Sequence, residues 1–156
     1  MRIVSFKVKP RQLFGAVLAL TGIIVIVLTF VSNHNGKPVG AQANVNCSTS
    51  GERQKYLSSL GYKTSESETS KEIKIPAKFN KVYKDYNKIQ KQQGFNLEKH
   101  RGKTATLYTY KISNYKGNDN VVADLIVFDG ELIAADLCDP SAEDGFLIAL
   151  GENGTA

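Results

Sequence analysis

The sequence predicts a small α+β domain behind one apolar N-terminal helix, and three observations carry that expectation. An uncharged run of 19 residues fills positions 13–31. Two segments of helical character lie between 51 and 93. After 104 come apolar and β-branched segments separated by turn residues. Helices grouped ahead of strands favour packing on an antiparallel sheet. Two helices on one face of about four strands are expected.

The chain divides into a basic stub (1–11), a transmembrane helix (12–31), a linker (32–47) and a domain (48–152). At about 1.5 Å per residue, the apolar run comes close to spanning a hydrocarbon core of roughly 30 Å. Arg2, Lys7, Lys9 and Arg11 precede it with no acidic residue among them. Such an excess marks the cytoplasmic flank. The expectation is a single-pass protein of the cell membrane, N-terminus inside and domain outside. The rival reading is a secreted protein with a cleaved signal peptide, for which Ala41-Gln42-Ala43 is the candidate site. The run is longer than a usual signal core, and that site lies far beyond its end.

Each element of the domain has a local signal. Thr49 and Glu52 have capping-box spacing ahead of a helix at 51–60, which Gly61 stops. Residues 65–70 are polar and predict a loop. Glu72-Ile73-Lys74-Ile75 alternates and predicts a short strand ended by Pro76. Phe79, Val82, Tyr83, Tyr86 and Ile89 share one arc of a second helix, at 79–93. A single turn is expected at 96–100. Strands follow at 104–113, 121–128 and 131–138, the last two joined by an Asp129-Gly130 hairpin turn. The segment 145–150 is a short helix or an edge strand.

Charge narrows the function classes. The chain holds 20 Lys/Arg and 15 Asp/Glu, and without the four of the stub the balance is near neutral. The positive net charge is therefore mostly a topology signal, and nucleic acid is not expected as a partner. Within the domain the charge is segregated. Residues 53–103 hold 13 Lys/Arg against 5 Asp/Glu, whereas 119–152 hold 9 acidic residues and no Lys/Arg.

Lys78, Lys81, Lys84, Lys88 and Lys91 line the arc opposite the apolar one. Of these, Lys81, Lys84, Lys88 and Lys91 are the candidate binding residues. They form either a solvated helix face or a surface for an anionic partner: wall polymer, lipid headgroup or protein. Asp136, Cys138, Asp139, Glu143 and Asp144 are the alternative, a cation-binding or catalytic cluster, though their spacing matches no regular metal loop. Cys138 with His100 is a candidate thiol–imidazole pair. Cys47 and Cys138 are either bonded, closing a loop of about 90 residues, or two unrelated thiols. Hydrolase-elbow, phosphate-loop and zinc-protease motifs are absent, so no catalytic residue, resident metal or cofactor is assigned. The reading favours an interaction module over an enzyme.

Three stretches read together carry a resemblance. The first is Glu52-Arg53, Tyr56-Leu57 and Leu60-Gly61-Tyr62. The second is Ile75-Pro76, Phe79, Val82-Tyr83, Tyr86-Asn87, Gln90-Lys91 and Gln93-Gly94-Phe95. The third is Gly102-Lys103, Tyr108-Thr109-Tyr110, Asn114-Tyr115, Ala134-Ala135-Asp136-Leu137-Cys138 and Gly145-Phe146. Over 52–150 they resemble the domain of unknown function 4830 family, small membrane-anchored or secreted bacterial proteins. Ala134-Ala135 stands where glycines are expected, and Tyr62 where a tryptophan is usual. The resemblance implies no activity and transfers no site residue.

Overall fold

The computed structural model describes residues 45–141 and 145–151. The span expected at 12–31, the stub and most of the linker lie outside the described residues, as do Glu143 and Asp144. No helix among the described residues is long and apolar enough to cross a membrane.

Five strands form one antiparallel sheet in chain order. They are β1 (Thr64–Lys74), β2 (Thr104–Ile112), β3 (Val122–Phe128), β4 (Glu131–Asp139) and β5 (Phe146–Ile148). Helix α1 (Ser50–Ser59) precedes β1. Helix α2 (Lys81–Gln92) and a 3₁₀ turn at Leu97–His100 lie between β1 and β2. The class is α+β, with five strands where about four were expected. The segment after Gly145 is an edge strand, because Leu137, Cys138 and Asp139 offer it a ladder.

The α1 capping box forms as the sequence specifies, whereas α2 begins two residues later than expected, after an Asn80 cap. Thr49 and Glu52 make the reciprocal capping box of α1, and the Asn80 side chain accepts from the Tyr83 N–H at 3.0 Å to start α2. Asp129 and Gly130 both take positive φ, 51° and 80°, as a tight hairpin turn between β3 and β4 requires.

The helices cover opposite faces of the sheet, not one face. Leu57 of α1 joins a core with Tyr110, Ala123, Leu125, Val127 and Leu137. Tyr86 of α2 joins a second core with Leu97, Ala105, Ile126 and Ala134. Neighbouring residues of a strand point to opposite faces, so the alternation of Leu125, Ile126 and Val127 between the two cores separates them. The segment carrying α2 crosses to the far face from the β1 edge. It is closed there by Ile75 N–H to Lys103 O and Gly102 N–H to Ile75 O, both 2.9 Å. Strand β3 is thus sandwiched, which explains its nearly continuous apolar run.

Two further expectations are corrected. Residues 65–70 are not a loop but most of β1, paired from Glu68 opposite Tyr110 to Lys74 opposite Thr104. As an edge strand β1 leaves most side chains in water, so Ser, Thr, Glu and Lys satisfy it and the apolar alternation vanishes. Residues 45–47, placed in the linker by sequence, belong to the domain. Asn46 bridges Glu131, the Cys47 N–H donates to Gly130 O at 2.8 Å, and Cys47 is fully buried.

Candidate functional site

The two site candidates both lie on the α2 face. On the outer arc of α2, Lys81, Lys84, Lys88 and Lys91 are exposed. Lys81 and Lys88 share Asp85, with Nζ–Oδ distances of 2.8 and 2.7 Å, and Lys91 lies 2.8 Å from Glu98. These lysines hold both carboxyls below their ordinary range. Arg101 also reaches Glu98, at 2.5 Å. Even so, residues 78–103 hold eight Lys/Arg against two acidic residues. Lys84 has no ion-pair partner among the described residues.

Beneath α2, the sheet collects a polar group that the linear sequence keeps apart. Thr109 lies opposite Asp124 across β2 and β3, and Asp124 lies opposite Asp136 across β3 and β4. Cys138, two residues beyond Asp136, shares that face. The Thr109 hydroxyl donates to Asp124 Oδ1. The Cys138 thiol donates to Asp124 Oδ2 at 3.7 Å. From α2, the Tyr86 hydroxyl donates to Asp136 Oδ2 at 2.6 Å. Asp136 Oδ1 is buried and has no hydrogen-bond partner among the described residues. Ligating atoms of Asp124, Asp136 and Cys138 all lie within 4.8 Å of one another.

The electrostatics of this group are those of crowded acids. Burial raises the Asp124 carboxyl. Burial raises Asp136 further, and the neighbouring Asp124 charge adds to it. Burial and then the Asp124 and Asp136 charges push the Cys138 thiol far up. Burial and then Asp136 do the same to the Tyr86 hydroxyl. Like charges directly opposite in an antiparallel pair destabilise it. No basic side chain pairs with either carboxylate among the described residues.

The acidic cluster expected from sequence is therefore divided. Asp136 stays and Asp139 leaves, because three positions along a strand change the face. Asp139 accepts from Asn118 Nδ2 at 2.6 Å and from the Ser141 N–H and hydroxyl at 2.8 and 2.6 Å. Burial pushes its carboxyl up, but these hydrogen bonds outweigh burial and hold it low. The sequence reading missed Asp124 and Thr109. The available signal was the acid itself: Asp124 is the one charged residue within β3.

Neither cysteine pairing survives. Both thiols are free. Cys47 binds the backbone beside Glu131, whereas Cys138 is seven residues along β4. That is roughly 20 Å at about 3.3 Å per residue, far beyond the reach of a disulfide. His100 stacks edge-on against Phe128 at 5.5 Å, at the end of β3 away from the Val122–Cys138 pair. It is no partner for the Cys138 thiol.

A family model described as a domain of unknown function, DUF4830, matches residues 56–137, from α1 to β4. No curated protein and no solved structure matches the chain. The matched span covers more than half of the 156 residues and includes every residue of the α2 face described above except Cys138. The chain belongs to the DUF4830 family.

Proposed function

We propose that this protein is a single-pass, membrane-anchored interaction module. Its domain stands outside the membrane and recognises a phosphate-bearing anionic surface through the outer face of α2 and the turn that follows. The observation that carries this is the excess of eight Lys/Arg over two acidic residues between 78 and 103, on one layer of the fold. Asp85 and Glu98 neutralise part of it by pairing with Lys81, Lys88 and Lys91. A linker of only a dozen or so residues between the expected span and the domain would keep such a face close to the membrane. Each lysine near an anionic lipid surface contributes about 1 kcal/mol at low salt.

The test uses the full chain in neutral detergent, titrated with anionic phospholipid bicelles and, separately, with a soluble phosphodiester polymer. Replacing Lys81, Lys84, Lys88 and Lys91 together by Gln is expected to weaken binding and flatten its salt dependence. Which titrant responds identifies the source of the phosphate. Unchanged binding by the fourfold variant overturns the proposal. Protease added to intact cells checks the side of the membrane: degradation of the domain is expected, and full protection refutes an outer location.

A further inference from the structure

We propose that Asp124, Asp136 and Cys138 form a binding site for a divalent transition metal ion of the zinc class. The inference is independent of the lysine face and rests on how the donors are arranged.

Each carboxylate is divided in the same way. One oxygen is held by a hydroxyl: Thr109 on Asp124 Oδ1, Tyr86 on Asp136 Oδ2. The other is left for a different partner. Among the described residues, Asp124 Oδ2 accepts only from the Cys138 thiol, 3.7 Å away, and Asp136 Oδ1 has no partner although it is buried. A hydroxyl orienting each ligating carboxylate is the outer shell that metal sites use to fix their ligands. A buried oxygen without a partner is costly, and a cation would remove that cost along with the repulsion between the two acids.

The donor set selects the ion. Two carboxylate oxygens and a thiolate suit zinc and its neighbours, whereas calcium and magnesium take all-oxygen sites. With bonds of about 2.0 Å to oxygen and about 2.3 Å to sulfur, tetrahedral ligands stand roughly 3.5 Å apart. The sulfur-to-oxygen spacing of 3.7 Å already fits. The wider limit of 4.8 Å closes with a modest turn of the side chains. Asp136 is buried, whereas Asp124 and Cys138 as whole residues are partly exposed. Three protein ligands and one open position is the pattern of a zinc centre that keeps a water. On binding, the thiol proton and any proton held on the carboxyl pair leave to solvent.

The full chain is purified in detergent, stripped with a chelator and kept reduced. It is then titrated with cobalt(II), whose thiolate complexes absorb strongly, and zinc(II) is added as competitor. The expected result is a thiolate-to-cobalt absorption that saturates at one equivalent and disappears on adding zinc. Cys138→Ser is expected to abolish it, and Asp136→Asn and Asp124→Asn each to weaken cobalt binding at least tenfold. Cys47→Ser is expected to leave it unchanged. The wild-type titration decides first: no such absorption overturns the proposal. Persistence in Cys138→Ser, or unaltered affinity in both Asp variants, also overturns it.

Discussion

On the α1 face a buried positive charge is surrounded by acceptors, whereas on the α2 face buried acids are gathered without a base. The Arg53 guanidinium donates to Tyr110 Oη at 3.0 Å, Glu68 Oε1 at 2.7 Å, Cys47 O at 2.8 Å and Ser48 O at 3.1 Å. Its Cζ also lies over the Tyr108 ring, 3.6 Å from the centroid. That network fastens residues 47 and 48 and α1 to the β1–β2 pair, and its chemistry is complete. The α2 face shows the reverse: two acids and a thiol, two hydroxyls to orient the acids, and an oxygen left over. A satisfied network explains itself as structure. The unpartnered oxygen on the other face is the position that the proposed ion would fill.

The first way to break this contrast is to remove the arginine. Arg53→Ala takes its donor from Glu68 Oε1 and from the Cys47 and Ser48 carbonyls, and the loss is expected to be about 3–5 kcal/mol, read as a fall in the urea midpoint. Arg53→Lys should recover only part of it, because an ammonium cannot fork to carboxylate and carbonyls together. A small loss in Arg53→Ala would mean that the α1 network is dispensable too, and completeness would no longer distinguish the faces.

Tyr86→Phe probes the other side with a smaller effect. It removes the sole donor to Asp136 among the described residues, leaving neither oxygen a partner there, at a cost of about 1–3 kcal/mol. The same change should weaken cobalt binding, since the hydroxyl orients the ligand rather than touching the metal. A loss of stability with unaltered cobalt affinity would make Tyr86 part of the packing alone.

How much of this was legible differs between the fold and the site. The α1 capping box, the central strand and the hairpin turn are local signals, and all three appear in the structure where the sequence put them. The α2 stripe does so only in part: Tyr83 and Tyr86 pack on the sheet, but Asn87 and Gln90 share the buried face and Phe79 precedes the helix. Strand β1 was hidden because an edge strand need not alternate. The acidic site was hidden by one residue. A two-residue turn at Asp129-Gly130 pairs Phe128 with Glu131 and Val127 with Leu132. Counting onward would set Asp124 opposite Ala135 and Asp136 on the far face. A bulge at Ile133 adds one residue to β4, so Ile126 pairs with Ala134 and Asp124 meets Asp136. Nothing in the composition of β4 announces that bulge, and a register slip of one moves every later side chain to the other face.

The pH dependence of stability offers the finest test, in chelated protein. A carboxyl raised above its ordinary range keeps a proton in the folded chain that the unfolded chain has already released. Where the folded state binds more protons, stability falls as pH rises. Asp124 and Asp136 are both raised. Metal-free protein should therefore gain stability from this pair as pH falls toward the ordinary carboxylate range of about 4. Glu52, Asp85, Glu98 and Asp139 are held low, so the stability they contribute is lost only below the ordinary carboxylate range. His100 runs the other way within the same window. Burial holds its imidazole low, the unfolded chain takes up the proton first, and stability falls with acid. Subtracting Asp136→Asn from wild type cancels His100 and leaves the carboxyl. The expected difference in slope is at most about 1.4 kcal/mol per pH unit, with wild type the steeper gainer as pH falls. Parallel stability curves for the two proteins would show that Asp136 titrates as an ordinary surface acid. The electrostatic contrast between the two faces would then have no basis.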